Sequence, residues 1–171
     1  MRNFLFIILF GAALLATGGV VSENKENIVY RQPDGLEVSI RKNPQRVIVA
    51  YASLAPVWDL AGGKAVGVSS ARDKTAIPES MKHLPVVGVS TTPSAEKIVA
   101  LKPDLVILTS RVNRHYRAAE LLRRMEITAV CVEYGSYDDF SSLLDFFCRL
   151  NGRTIADVPA AKQVVRDVEA V

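Results

Sequence analysis

Apolar residues along this chain fall into short unbroken runs separated by stretches of helical spacing, and that alternation predicts a layered α/β fold. RVIVA at 46–50, then 65–68, 86–89, LVIL at 105–108 and 128–132 read as strands too apolar for a wet face. Between them, Leu54, Val57, Trp58 and Ala61 recur at helical spacing until Gly62-Gly63. Further helices are predicted at 95–101, 113–125 and 137–150. Strands and helices interleaved in this way predict right-handed crossovers and a mostly parallel sheet with helices on both faces.

The segment 86–110 is the most complete unit. Thr92-Pro93-Ser94 supplies a turn and an N-cap, and Ile98 and Leu101 share one face of the following helix. Lys102-Pro103-Asp104 ends it, and the residue before proline should leave the chain extended into the next strand. Ahead of the alternation, 28–30 and 36–40 are short strand candidates around a turn at 32–35. At the other end Ala161, Val164, Val165, Val168 and Val171 form an apolar helical stripe, which is expected to pack against something beyond a finished domain.

In parallel sheets ligands lie beyond the carboxyl ends of the strands. That rule selects Tyr51, Ala52 and Ser53, Ser90 and Thr91, Thr109, Ser110 and Arg111, and Tyr134 as ligand-binding candidates. Tyr51 and Tyr134 each follow a buried strand and are read as either cleft-lining or semi-buried. Arg111 and Arg114 open a basic helix that is either a solvated face or a seat for carboxylate or phosphate. Trp58 is read as core.

Composition changes the picture in three places. Arg2, the apolar run 4–15 and the small residues 16–22 have the layout of a secretory signal peptide, with cleavage expected after Ser22 or nearer Ala16. Without residues 1–22 the charge is 20 basic against 18 acidic residues, a near balance that makes no electrostatic case for nucleic acid. Cys131 and Cys148, the only cysteines, are either a bridge or two buried thiols. No dinucleotide, P-loop, zinc-protease or nucleophile-elbow motif occurs, and His83 and His115 lack neighbours at metal-ligand spacing. No metal site and no cofactor are expected.

Residues 46–70, 86–110 and 127–140 closely resemble the N-terminal lobe of substrate-binding proteins that serve ABC importers of iron-siderophore complexes, haem and cobalamin. The resemblance rests on Ala61-Gly62, Val66-Gly67-Val68, Val87-Gly88, Ser94-Ala95-Glu96 and Lys102-Pro103-Asp104, in that order. It implies a Rossmann-like lobe of a two-lobed protein whose lobes are joined by a long helix, with ligand held between them and the second lobe absent. The implied organisation is a signal peptide at 1–22, a lead-in segment at 23–45, the lobe at 46–153 and a truncated start of the joining helix at 154–171. It implies a monomeric, periplasmic or cell-surface protein with no integral membrane segment after cleavage, whose ligand itself carries iron or cobalt. Glu96, otherwise a carboxylate favourably placed on a first helical turn, takes the position that docks on permease arginines. Ser90 stands where the cobalamin binders of this family tend to place a tryptophan, a departure that weakens a cobalamin assignment, and the arginine-bearing rim favours an anionic ligand such as a ferric siderophore or haem. The rival readings are a small secreted α/β hydrolase and a non-functional truncated remnant.

Overall fold

A computed structural model describes residues 18–133 and 135–169 of the 171-residue chain. Its centre is a six-stranded sheet built from β4 (Val47–Val49), β5 (Gly67–Ser70), β6 (Val86–Val89), β7 (Thr92–Pro93), β8 (Leu105–Thr109) and β9 (Ala129–Val132). The order is β7-β6-β5-β4-β8-β9, with every neighbouring pair parallel except β6 and β7.

Side chains alternating along these strands divide the core in two. Val47, Val49, Leu105, Ile107, Val130 and Val132 face one side, where α1 (Ala55–Leu60) and α4 (Tyr137–Leu150) cover them. Ile48, Val106, Leu108 and Cys131 face the other, under α2 (Ala95–Ala100) and α3 (Asn113–Arg124). The expected mostly parallel sheet with helices on both faces is therefore present. Trp58 is fully buried, edge-on to Phe147 at 5.2 Å, and its indole N–H donates to the Lys64 carbonyl at 3.0 Å. It is a core residue. Cys131 and Cys148 are buried, unpaired thiols in the two different layers.

A separate antiparallel sheet of β1 (Gly19–Glu23), β2 (Asn27–Arg31) and β3 (Glu37–Arg41) packs Ile28, Tyr30, Val38 and Ile40 onto the α1/α4 layer. Tyr30 stacks on Phe146 at 4.5 Å. The exposed edge of β9 is protected from both sides: the Gln32 side chain, just past β2 and fully buried, accepts the Cys131 N–H at 2.7 Å, and Arg123 of α3 donates to the Ala129 carbonyl at 2.9 Å. An unpaired strand edge would otherwise invite pairing with another chain.

Several expectations need correction. The strand expected at 65–68 runs Gly67–Ser70; Val66 serves as its approach, donating to Val47 O at 2.8 Å. The turn expected at 92–94 is preceded by a hairpin, because Gly88 sits at φ 126°, where a Cβ would approach Thr92 O to 2.7 Å. The tight crossing lets β7 fold back. Lys102 does not leave extended: it takes a left-handed φ of 48°, and its N–H bonds Val99 O at 2.9 Å. Arg46 compensates by donating to the carbonyls of Leu101 (2.7 Å) and Lys102 (3.0 Å), which caps the helix end. The Asp104 carboxylate then accepts the N–H groups of Gln45 and Arg46 at 2.6 and 2.9 Å, tying the start of β8 to that of β4.

The final helix, α5 (Pro159–Glu169), lays its stripe on this same lobe rather than away from it. Ala161 is fully buried, Val165 packs against the α1/α4 layer, and the Tyr137 hydroxyl donates to Val165 O at 3.1 Å. Residues 1–17, Tyr134, Ala170 and Val171 lie outside the described residues, as does most of the expected signal peptide.

Candidate functional site

The carboxyl ends of β4, β5, β6, β8 and β9 open onto one end of the sheet, and the structure sorts the candidate residues there into two groups. Ala52, Ser90 and Thr109 build the floor. Ala52 is buried at the start of a 3-10 turn, and its N–H donates to Ser90 Oγ at 3.2 Å. Ser90 Oγ in turn donates to Ser70 O at 2.9 Å and lies 3.2 Å from Ser69 Oγ. Thr109 is buried, and its hydroxyl accepts the Arg111 N–H at 3.2 Å. The hydroxyls of Ser90 and Thr109 are thus occupied with the backbone of the rim segments, Ala52 and Ser70 for the first and Arg111 for the second, so their contribution to a ligand is the placement of their neighbours.

Tyr51, Ser53, Thr91, Ser110 and Arg111 form the accessible rim. Tyr51 and Ser110 are half-buried, while Ser53, Thr91 and Arg111 are exposed. Tyr134 lies outside the described residues. Ser110 donates its hydroxyl to the Glu133 carboxylate at the end of β9. Arg114 donates to Thr92 Oγ1 at 3.0 Å, joining α3 to the β6/β7 hairpin. Asp139 on α4 accepts from the N–H groups of Gly135 and Ser136 at 3.1 and 3.0 Å. The Ser136 hydroxyl is the foremost cause holding the Asp139 carboxyl below its ordinary range, with the Gly135 N–H and the Arg111 guanidinium adding to it.

The centre of the arrangement is a residue that sequence reading set aside. His115, fully buried on the first turn of α3, accepts the Thr109 N–H through Nδ1 at 3.1 Å and donates from Nε2 to the Ser90 carbonyl at 2.8 Å. Tyr51 stands edge-on to it, 5.9 Å between ring centroids. Burial keeps the imidazole neutral by lowering its pKa, against a smaller upward pull from the Ser90 carbonyl. His115 thus fastens the tip of the β6/β7 hairpin to the end of β8. It contacts the carbonyl of Ser90, not its hydroxyl, so the pair does not form a nucleophile and base. His83 is exposed ahead of the amino end of β6, away from the rim.

Also missed was Arg72, exposed two residues beyond the carboxyl end of β5. The signal was present, since Ser69-Ser70-Ala71-Arg72 follows a strand as the other rim segments do. Among the described residues, none of Arg72, Arg111 and Arg114 has a carboxylate within ion-pair distance. Among the described residues there is also no group of three His, Cys, Asp or Glu side chains able to hold a metal ion, and no helix long and apolar enough to cross a membrane.

The described residues thus form a parallel α/β lobe with a basic, open rim at the carboxyl end of its sheet. The family model for periplasmic binding proteins matches residues 47–162, and the chain belongs to that family. It is 37% identical over 81 residues to the Fe(3+) dicitrate-binding periplasmic protein FecB of Escherichia coli, covering 45% of this chain and 26% of that protein. An ABC transporter substrate-binding protein from Listeria monocytogenes superposes with a TM-score of 0.62 at 18% identity, over 75% of this chain and 46% of that one. Staphylococcus aureus SirA complexed with staphyloferrin B superposes with a TM-score of 0.59 at 21% identity, over 81% and 46%. The chain spans about half the length of these solved relatives and a quarter of the length of FecB.

Proposed function

We propose that this chain forms the N-terminal lobe of an extracytoplasmic solute-binding protein that captures an anionic iron chelate for an ABC importer and catalyses no reaction. The observation that carries the reading is the rim: Arg72 after β5, and Arg111 and Arg114 at the start of α3, all at the carboxyl end of the sheet and with no ion pair among the described residues. Guanidinium groups presented this way suit carboxylate-rich chelates, and FecB is a dicitrate binder. Haem carries carboxylates as well and is the second ligand class; cobalamin fits the arginines less well. The protein acts as a monomer, and its cargo rather than any resident cofactor brings the metal.

The rim supplies one wall of a cleft, and ligand sites of this kind bury most of the ligand between facing walls. Ferric dicitrate titrated into the chain is therefore expected to shift the backbone amide signals of Tyr51, Thr91, Ser110 and Arg111 at millimolar concentration only. Micromolar affinity would refute the half-cleft, and undisturbed rim signals at millimolar ligand would refute the site.

Glu96 is proposed to dock on the permease. It is exposed on the first turn of α2, which begins just past the β6/β7 hairpin and so lies at the rim end of the lobe. Its carboxylate makes no bond to the Ser94 cap, which takes the Lys97 N–H at 3.3 Å. A surface carboxylate in this position contributes orientation and register more than affinity. In the whole transporter, Glu96→Arg is expected to cut uptake at least tenfold with ligand affinity unchanged; normal uptake would remove the assignment.

A further inference from the structure

We propose that the exported precursor is cut between Gly18 and Gly19, so that the mature protein begins with β1 intact. This rests on the reading of the chain as an exported binding protein and goes beyond it in locating the processing site.

Cleavage after Ser22 would remove Gly19 to Ser22, four of the five residues of β1. That strand has a defined place in the lobe. It pairs with β2 from Gly19↔Arg31 to Glu23↔Ile28, and Val20 packs against the α1/α4 layer. Its last residue is anchored twice: the Glu23 carboxylate forms ion pairs with Lys42 beyond β3 and with Arg149 near the end of α4, 126 residues away. Those hydrogen bonds to Lys42, followed by those to Arg149, hold the Glu23 carboxyl below its ordinary range. A chain beginning at Glu23 would keep the carboxylate but lose the strand that positions it, and would leave β2 as an open edge.

The residues ahead of β1 carry the matching cleavage signal. Ala16 and Gly18 place small side chains three residues and one residue before the cut, whereas a cut after Ser22 puts the β-branched Val20 at the outer position. The new terminus suits its surroundings. A cleft of about 560 Å³ lined by Gly18, Gly19 and Tyr30 also carries Glu133, Asp139 and Asp145. An α-ammonium released at Gly19 enters a corner richer in carboxylates than in cations, with Arg149 the sole basic lining residue and already paired to Glu23 and Asp145. Opposite charge within a few ångströms stabilises the ammonium form.

The test is N-terminal sequencing and intact mass of the processed chain after expression of residues 1–171 in a bacterium with a periplasm. The expected reading is Gly-Val-Val-Ser-Glu, and Gly18→Gln in the precursor should abolish that terminus, since signal peptidase requires a small residue there. Because residue 18 leaves with the leader, the substitution cannot act through the mature fold. A terminus at Glu23 that is indifferent to Gly18→Gln would overturn the site while leaving the exported-protein reading in place. An unprocessed chain would overturn both. Sequencing reads the terminus whether or not the chain binds ligand, so the result is independent of the rim arginines.

Discussion

Replacing His115 by alanine should destabilise the lobe more than any other single change at the rim. The imidazole is fully buried and satisfies two backbone groups, accepting the Thr109 N–H at 3.1 Å and donating to the Ser90 carbonyl at 2.8 Å. Leaving a buried donor or acceptor unpaired costs about 1–3 kcal/mol for each group. The emptied ring volume beside Tyr51 adds a cavity cost, so His115→Ala is expected to lose roughly 3–5 kcal/mol, a large share of an ordinary domain's stability. Urea unfolding followed by circular dichroism measures it. His115→Asn, whose Oδ1 can replace Nδ1 towards Thr109, should lose about 1–3 kcal/mol because only the Ser90 carbonyl is orphaned. The pH dependence gives an independent reading. Burial lowers the His115 pKa below its ordinary value of 6.5, so the unfolded chain binds a proton before the folded one does. His115 therefore contributes stability fully above that value and progressively less as pH falls through 6.5 towards its folded-state value. The stability difference between the native chain and His115→Asn should shrink on acidification over that interval. A loss below about 1 kcal/mol for the alanine variant, or parallel pH curves for the native and Asn chains, would refute the role of His115 as the strut of the rim.

Two further outcomes test the frame around the site. Gln32→Leu removes the acceptor for the buried Cys131 N–H at the β9 edge, and a stability loss of about 1–3 kcal/mol in urea is expected; no change would mean the edge is protected some other way. Burial pushes the Cys131 thiol up to about 12 and the Cys148 thiol up to about 11, so neither should react with a thiol reagent at pH 8 until urea unfolds the chain. Labelling of the native protein would contradict their placement in the two core layers.

What was legible in the sequence is what depends on neighbours a few residues away. The run at 105–108 lies within β8, that at 128–132 contains β9, which begins one residue later, and the helix expected at 137–150 is observed as Tyr137–Leu150, because burial on both faces and a Ser136 capping box leave local signatures. Lys102-Pro103-Asp104 marked a helix end correctly. Its real chemistry was hidden, since Asp104 acts on Gln45 and Arg46, 59 and 58 residues away. The same separation explains the misses. His115 reads as a lone histidine on a basic helix until folding brings Ser90, 25 residues earlier, against its Nε2. Gln32 reads as a turn residue until β9, 99 residues later, presents an unpaired N–H. Gly19-Val20-Val21-Ser22 reads locally as the end of a leader, and the strand identity of β1 comes only from pairing with β2 and from Glu23 meeting Arg149. Ala52 followed the rule for strand ends yet turned inward, because the chain passes straight into a 3-10 turn that buries it under Ser90. Local pattern therefore located the end of the sheet where a ligand would sit. Long-range hydrogen bonds decided which residues at that end are occupied in holding it together, Arg114 through Thr92 among them, and which, Tyr51, Thr91, Arg72 and Arg111 among them, stand on the accessible rim.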